Sequence, residues 1–329
     1  MKRKADAADE PGDAVARFRA DLIRALGRAP TGPVALGVSG GPDSMAMLAL
    51  AHGAFPGAVI AATVDHGLRA EAADEALMVA DQCATLGIVH ATLVPQTPPE
   101  GASLQAQARG IRYALLLDWA RRAGAGCLVT AHHTDDQAET FLMRAARGSG
   151  VAGLAGVRAR READGVVIVR PLLGWRRAEL RAVARRQRMP FIDDPANDDL
   201  RHDRTRFRRL LDANEWLDPP GLAQAAQNVA EIDSDLKAMV DLLWRQRSTD
   251  TDIDMADLPR EFRRRLARRA IGEARTAFGV DTPDWSDAAN VEPLLDSLAA
   301  GRSATQAGIQ VTRRGTVWRF RQAPPRRAL

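Results

Sequence analysis

The chain has 329 residues, 46% of them hydrophobic, a formal net charge of +4 and only two cysteines, Cys83 and Cys127. That length suits one α/β domain with a smaller second one, the lack of any apolar run of about 18 residues excludes a helical membrane span, and two distant cysteines exclude a disulfide framework or a CxxC motif. The leader over residues 1–13 is basic and then acidic, with no apolar signal-peptide core, so a cytoplasmic location is expected.

Val15, Phe18, Leu22 and Leu26 recur at helical spacing and predict a leading helix. An apolar strand over 34–38 then runs into Ser39-Gly40-Gly41-Pro42-Asp43-Ser44 and a helix over 44–53. Gly40 and Gly41 let the backbone turn sharply and approach a ligand closely. The first amides of the helix lack intrahelical partners and point at an incoming anion, and Ser39 and Ser44 add hydroxyl donors. Asp43 stands apart, because a carboxylate beside phosphate oxygens is repelled unless a Mg2+ lies between them. No lysine occurs from Gly37 to Ala51, so the loop is not a Walker A motif, nor is it GxGxxG. On its residues alone it is a phosphate cradle, with an ordinary strand-to-helix turn as the plainer alternative.

Further strands are predicted over 58–64, 89–94, 127–130 and 166–169, and helices over 71–86, 103–123 and 134–147. This alternation implies an α/β fold with a Rossmann-like parallel sheet, right-handed crossovers and ligands at the carboxyl edge of the strands. On the helix over 103–123, Gln105, Arg109 and Arg112 share a face. Guanidinium groups there would neutralise charge developing on phosphates, although a solvated helix face is the alternative. The strand over 127–130 leads into Ala131-His132-His133-Thr134-Asp135-Asp136-Gln137-Ala138-Glu139-Thr140, with Thr134 or Asp135 expected to cap the next helix. One reading is a zinc site of His132, His133 and Asp136, which lacks the histidine spacing of HExxH. A second is a capped helix with a polar first turn. In the favoured reading the carboxylates help hold Mg2+ or orient an amine while a histidine contacts phosphate.

From Arg158 to Arg209 fifteen arginines stand against eight carboxylates, a bias that suits a phosphate backbone. With only three lysines in the chain, arginine replaces lysine everywhere, so the bias alone says little. A polar loop at Asp193-Asp194-Pro195-Ala196-Asn197 precedes Arg204, Arg206 and Arg208 and a further helix. Beyond Pro219 the pattern is helical over 222–247, 259–278 and 285–299, then two short strands over 308–312 and 316–320 form a terminal hairpin around Arg313-Arg314-Gly315. A boundary within 212–220 divides the chain into a 1–215 domain and a mainly helical 216–329 region.

SGGPDS after a strand resembles the PP-loop of the N-type ATP pyrophosphatases, which split ATP between its α and β phosphates. Together with VDHGLR, QAQARGIRY, TAHHTDDQAETFLMRAARGSGVAGLAG, RPLL and DDPANDDLRHDRTRFR, it resembles the tRNA(Ile)-lysidine synthetase family over most of residues 33–213. The resemblance implies a ligase acting on tRNA(Ile) with a CAU anticodon, in which ATP adenylates the C2 oxygen of the wobble cytidine and free L-lysine then displaces AMP. It implies that Ser39, Gly40, Gly41, Pro42, Asp43 and Ser44 hold ATP, with Asp43 on Mg2+. Asp136, with Glu139 second, would bind and deprotonate the lysine amine. His133, Arg109 and Arg112 would complete the catalytic set, and Arg204, Arg206 and Arg208 would contact tRNA.

Two departures stand out. Thr205 occupies a position that is commonly Asn in an RNRIR-like segment of the family, and the stretch after Pro219 is short, leaving Arg313, Arg314, Arg319 and Arg321 as its phosphate contacts. A tRNA thiolation enzyme of the same superfamily is the main alternative, but it needs a cysteine pair or an iron–sulfur cluster. A nucleotide- or RNA-binding module without catalysis is the other. Oligomeric state is left open.

Overall fold

The computed structural model describes residues 11–67, 71–97, 104–193, 203–286 and 288–324. Most of the 1–13 leader, the end of VDHGLR and residues 194–202 of the DDPANDD segment lie outside the described residues. The chain divides into two compact units, Met1–Ala230 and Glu231–Leu329. That division falls inside a helix rather than within 212–220, because Pro219 and Pro220 open the helix, where a missing N–H does no harm, instead of breaking the chain.

The first unit contains α1 (Pro11–Leu26), β1 (Val34–Gly37), α2 (Pro42–Ala54), β2 (Val59–Val64), α3 (Glu71–Thr85), β3 (Val89–Leu93), α4 (Leu104–Arg122), β4 (Cys127–Val129) and α5 (Thr134–Ala146). After the short α6 (Val151–Leu154) come β5 (Arg160–Ala163), β6 (Val166–Val169), a 3-10 turn at Pro171–Gly174, α7 (Arg177–Arg186), α8 (Asp203–Asp212) and the start of α9 (Pro219–Arg247). The six strands form one sheet in the order β3-β2-β1-β4-β6-β5, parallel except for β5 on β6. Val34, Ala35 and Leu36 are all fully buried, the continuous apolar run of a central parallel strand.

Pleating sends alternate residues of β1 to opposite faces. Val34 and Leu36 join a core with Phe18 and Leu22 of α1, Met45 and Leu48 of α2, and Leu180 and Val183 of α7. Ala35 joins Leu116, Leu117, Leu128 and Ile168 beneath α4. With β2 on one side of β1 and β4 on the other, the crossovers reverse direction here, and a crevice opens at the carboxyl ends of β1 and β4. The antiparallel β5 and the helices α6 and α7 were not expected. The arginines of α7 read as a charge run and hide the Leu180, Val183 and Ala184 spacing that buries one face.

The second unit keeps its expected, mainly helical character and adds more strands than the expected hairpin. Besides the remainder of α9, α10 (Arg260–Phe278) and α11 (Glu292–Ala299), it holds β7 (Ser248–Thr249), β8 (Asp252–Asp254), β9 (Ala304–Gln306), β10 (Ile309–Arg314) and β11 (Val317–Gln322). These strands pair as a five-stranded antiparallel sheet in the order β7-β8-β11-β10-β9, so the expected hairpin is its centre. The extra strands are two or three residues long and polar, too short to show alternation. The helix expected over 285–299 begins only at Glu292, with Pro in its first turn. Among the described residues no helix is long and apolar enough to cross a membrane.

Candidate active site

The loop between β1 and α2 is held by its own side chains. Gly40 takes φ +82, a left-handed conformation that L side chains rarely adopt, and a Cβ there would also meet Met78 Cε at 3.3 Å. The Ser44 hydroxyl accepts from the Ser39 amide at 3.1 Å and donates to Gly41 O at 2.9 Å. The Ser44 hydroxyl therefore braces the loop. α2 starts at Pro42, two residues earlier than expected, with Gly41 as its N-cap and no side-chain cap. Its first-turn amides are left for a ligand.

Asp43, in that first turn, meets His133 Nε2 through Oδ2 at 3.3 Å. Its Oδ1 is buried and has no hydrogen-bond partner. An acceptor oxygen without a donor beside an anion cradle fits Mg2+, which takes one or two carboxylates plus substrate phosphates. No group of three or more His, Cys, Asp or Glu among the described residues forms a metal cage, which leaves the zinc reading without support.

His133 caps α5 in place of the expected Thr134 or Asp135. Its Nδ1 accepts from the Asp136 amide at 3.3 Å, and Asp136 Oδ2 accepts from the His133 amide at 3.1 Å, a reciprocal capping box. The expected caps are engaged elsewhere: Thr134 Oγ1 donates to Leu173 O, and Asp135 accepts from the Arg176 guanidinium and the Arg177 amide. A lone pair on Nδ1 leaves the proton on Nε2, facing Asp43. Burial works against a charge on this ring, but the hydrogen bond to Asp43 and the Asp136 and Asp43 carboxylates outweigh it, and its pKa is raised.

A cavity of about 600 Å3 lies over the loop, lined among others by Ser39 to Ser44, His66, Arg109, Arg112, His132, Asp136, Arg204 and Arg208. His133 and Glu139 are not among its lining residues. The histidine facing the cavity is His132, whose Nε2 lies 3.4 Å from Arg109 Nη2 and whose Nδ1 lies 3.0 Å from Thr130 Oγ1. A guanidinium only donates, so Nε2 accepts and Nδ1 carries the proton. Burial, only partly offset by Asp136, drops the His132 pKa to about 3 and keeps the ring neutral. Burial would raise the Asp136 carboxyl, but the charges of His133 and Arg204 and the hydrogen bond from the His133 amide hold it down at about 2. Arg109 and Arg112, one turn apart on α4, have no carboxylate partner among the described residues and both line the cavity.

Glu139 is 1% exposed and sits under three guanidinium groups. Arg177 Nη2 reaches Oε1 at 2.5 Å, Arg208 Nε reaches Oε1 at 3.0 Å, and Arg204 Nε reaches Oε2 at 3.0 Å. With both oxygens engaged, this carboxylate gathers arginines from α7 and α8 and leaves no room for an amine. Arg204 also lies 3.4 Å from Asp136. Positions 204 and 208 are one helical turn apart and line the cavity, whereas Arg206 is on another side of α8, 3.6 Å from Asp203. Thr205 is buried. The basic run is thus largely paired within the fold: Arg176 with Asp135, Arg177 with Glu139, Arg181 with Asp193. Buried Arg170 donates to Arg158 O and Tyr113 Oη. The histidine at position 66 and Arg181 also line the cavity, and nothing in the sequence singles them out, since a strand end and a charge run announce no cavity.

Residues 15–214 match the family model of the PP-loop domain. A tRNA(Ile)-lysidine synthase of Novosphingobium aromaticivorans is 42% identical over 318 residues, covering 96% of this chain and 95% of that protein. One of Zymomonas mobilis is 39% identical, covering 90% of each. Among solved structures, the U34-tRNA thiolase NcsA of Methanococcus maripaludis, determined with its iron–sulfur cluster, superposes with a TM-score of 0.56 at 19% identity. It covers 67% of this chain and 78% of that one, a likeness of fold alone. Kinship along nearly the full length of both proteins, joined to a braced loop at the switch point of the sheet, leads to one assignment: the chain belongs to the tRNA(Ile)-lysidine synthase family and carries its PP-loop domain.

Proposed function

We propose that the chain uses ATP to join free L-lysine to C2 of the wobble cytidine of tRNA(Ile) bearing a CAU anticodon, in the cytoplasm, releasing AMP and pyrophosphate. The observation that carries this reading is a single cavity in which the anion cradle of Ser39 to Ser44, the carboxylate-free Arg109 and Arg112, and the ionised Asp136 converge. Cradle, cations and carboxylate match a departing pyrophosphate, an adenylated base and an amine.

The C2 oxygen of the cytidine attacks the α-phosphorus, the α–β bridging bond breaks, and pyrophosphate leaves with its electron pair. The amides of Gly40, Gly41 and the first turn of α2 hold that leaving group in this reading, since no side chain caps the helix. Arg109 and Arg112 balance charge on the α-phosphoryl group. Asp43 is the residue to hold Mg2+, which when bound supplies further neutralisation of the phosphates. In the second step the lysine amine forms the C–N bond at C2 and AMP departs. Asp136 serves as the counter-ion that positions an ammonium. A carboxylate at about 2 lies some eight units below an alkylammonium near 10.4. It is a weak base toward that ammonium, so Asp136 chiefly positions it, and the proton the amine sheds as the C–N bond forms passes to water or to the phosphate of the departing AMP.

Tests in sequence are ATP:pyrophosphate exchange dependent on a tRNA with a CAU anticodon, then lysine-dependent release of AMP. No exchange from folded protein that still binds tRNA would leave the binding-module reading in its place. Thiolation is disfavoured by the two thiols: Cys83 and Cys127 are fully buried, and burial pushes each up to about 11.

A further inference from the structure

We propose that the second unit carries its own phosphate-binding site, a cavity of about 250 Å3 lined by Arg263, Arg313, Arg260, Thr316 and Trp318 among others. Its centre is Arg263, whose Nε is buried without a hydrogen-bond partner. No carboxylate among the described residues pairs with it. Four other arginines of the same helix are matched by carboxylates, Arg260 with Glu292 and Asp296, Arg264 and Arg265 with Glu261, Arg269 with Asp241, and Arg268 and Arg275 donate to the carbonyls of Ala289 and Ala307. A buried donor without a partner is destabilising, which an anionic ligand rich in acceptors relieves.

The second cation comes from the sheet. In the β10–β11 register Arg313 stands opposite the buried Trp318, on the face turned to the core, whereas Arg319 and Arg321 lie on the other face and both pair with Asp252. Arg313 Nε donates to Gly315 O at 2.7 Å, and Nη1 reaches Leu298 O at 3.4 Å, so the group is fixed by backbone carbonyls with its charge uncancelled. The exposed Asp257 is the one carboxylate among the lining residues. The space is small for a nucleotide, given ligand pockets of about 300–1,000 Å3, and two guanidinium forks suit one tetrahedral phosphate, the Thr316 hydroxyl beside them being bonded to Asp254. Of the four C-terminal arginines expected to touch phosphate, the structure selects Arg313 and adds Arg263.

The phosphate is either a phosphodiester of bound RNA or free inorganic phosphate. The RNA source rests on the function proposed above, and the inorganic source does not. Full-length protein labelled with 15N-arginine is titrated with inorganic phosphate at constant ionic strength. The Arg263 Nε–H resonance, assigned by its loss in R263K, is expected to move saturably in the wild type and to stay still in R313Q. In parallel, tRNA affinity is measured across salt concentrations for wild type, R263Q, R313Q and R319Q. Loss of one phosphate contact lowers the slope of log affinity against log salt by about 0.7–0.9, expected for the first two variants and not for R319Q. A resonance shift with unchanged slopes supports the site and identifies free phosphate as its ligand. A change of slope without a shift supports it as a phosphodiester site. A stationary Arg263 resonance in the wild type, together with wild-type slopes in folded R263Q and R313Q, overturns the proposal.

Discussion

Replacing Glu139 by Gln separates two roles for this residue. The carboxylate is 1% exposed and accepts from Arg177, Arg208 and Arg204 at 2.5, 3.0 and 3.0 Å. The amide removes the charge and turns one acceptor into a donor facing a guanidinium. Breaking a buried ion pair from one side costs about 3–5 kcal/mol. Here the arginines are 20%, 26% and 40% exposed and swing partly into water, and Arg204 retains Asp136 at 3.4 Å. Allowing for that screening, the expected loss is about 2–3 kcal/mol. For a unit of this size the loss corresponds to roughly 5–10 °C in Tm. Urea denaturation followed by circular dichroism reads the midpoint, and ATP binding is expected to weaken in parallel because Arg204 and Arg208 lose their anchor. A midpoint equal to wild type, with a raised KM for lysine alone, would show that Glu139 meets the amino acid and would refute the anchoring argument.

Three further perturbations test other parts of the site. Asp43→Asn removes the carboxylate whose Oδ1 lacks a donor; pyrophosphate release is expected to vanish while tRNA binding survives, and near-normal release would end the case for Mg2+ at this residue. Reversing charge at Arg206 together with Arg208 is expected to weaken tRNA binding and flatten its salt dependence. Arg206→Glu alone should flatten that dependence with ATP affinity unchanged, since of these two only Arg208 lines the cavity; an unaltered slope returns Arg206 to solvated surface. The Asp136 carboxyl falls from 3.8 to about 2 on folding. A depressed carboxyl stabilises the fold above its unfolded pKa, and that contribution is lost as pH falls through the folded value. Wild type should therefore lose about 2 kcal/mol relative to Asp136→Asn between pH 4 and pH 2, and parallel acid-unfolding curves would contradict it.

Local signals made the first unit legible. Apolar strands alternating with helices, and a glycine turn between β1 and α2, depend on neighbours a few residues away, so the α/β class and the loop could be read directly. Charge-rich elements were harder. Arg160 to Ala163 and the helix at Arg177 read as parts of one basic run because the partners that fix them are distant in sequence: Val166 to Val169 for the strand, Asp135 and Glu139 for the arginines. The same blindness affected the second unit, where strands of two or three residues acquire meaning only by pairing with β10 and β11.

By itself the sequence determined the alternation of strands and helices from α1 to α5, the glycine turn at Ser39 to Ser44 and the presence of carboxylates and arginines near the sheet edge, because each follows from short-range spacing. Only the tertiary structure decided which of those charges face a ligand. It put Asp136, Arg109 and Arg112 into the cavity, His132 there instead of His133, Glu139 beneath three arginines, and Arg206 outside. A side chain's role depends on what crosses the space in front of it. That is settled by elements returning from 38, 65 and 69 residues away, as Arg177, Arg204 and Arg208 do over Glu139.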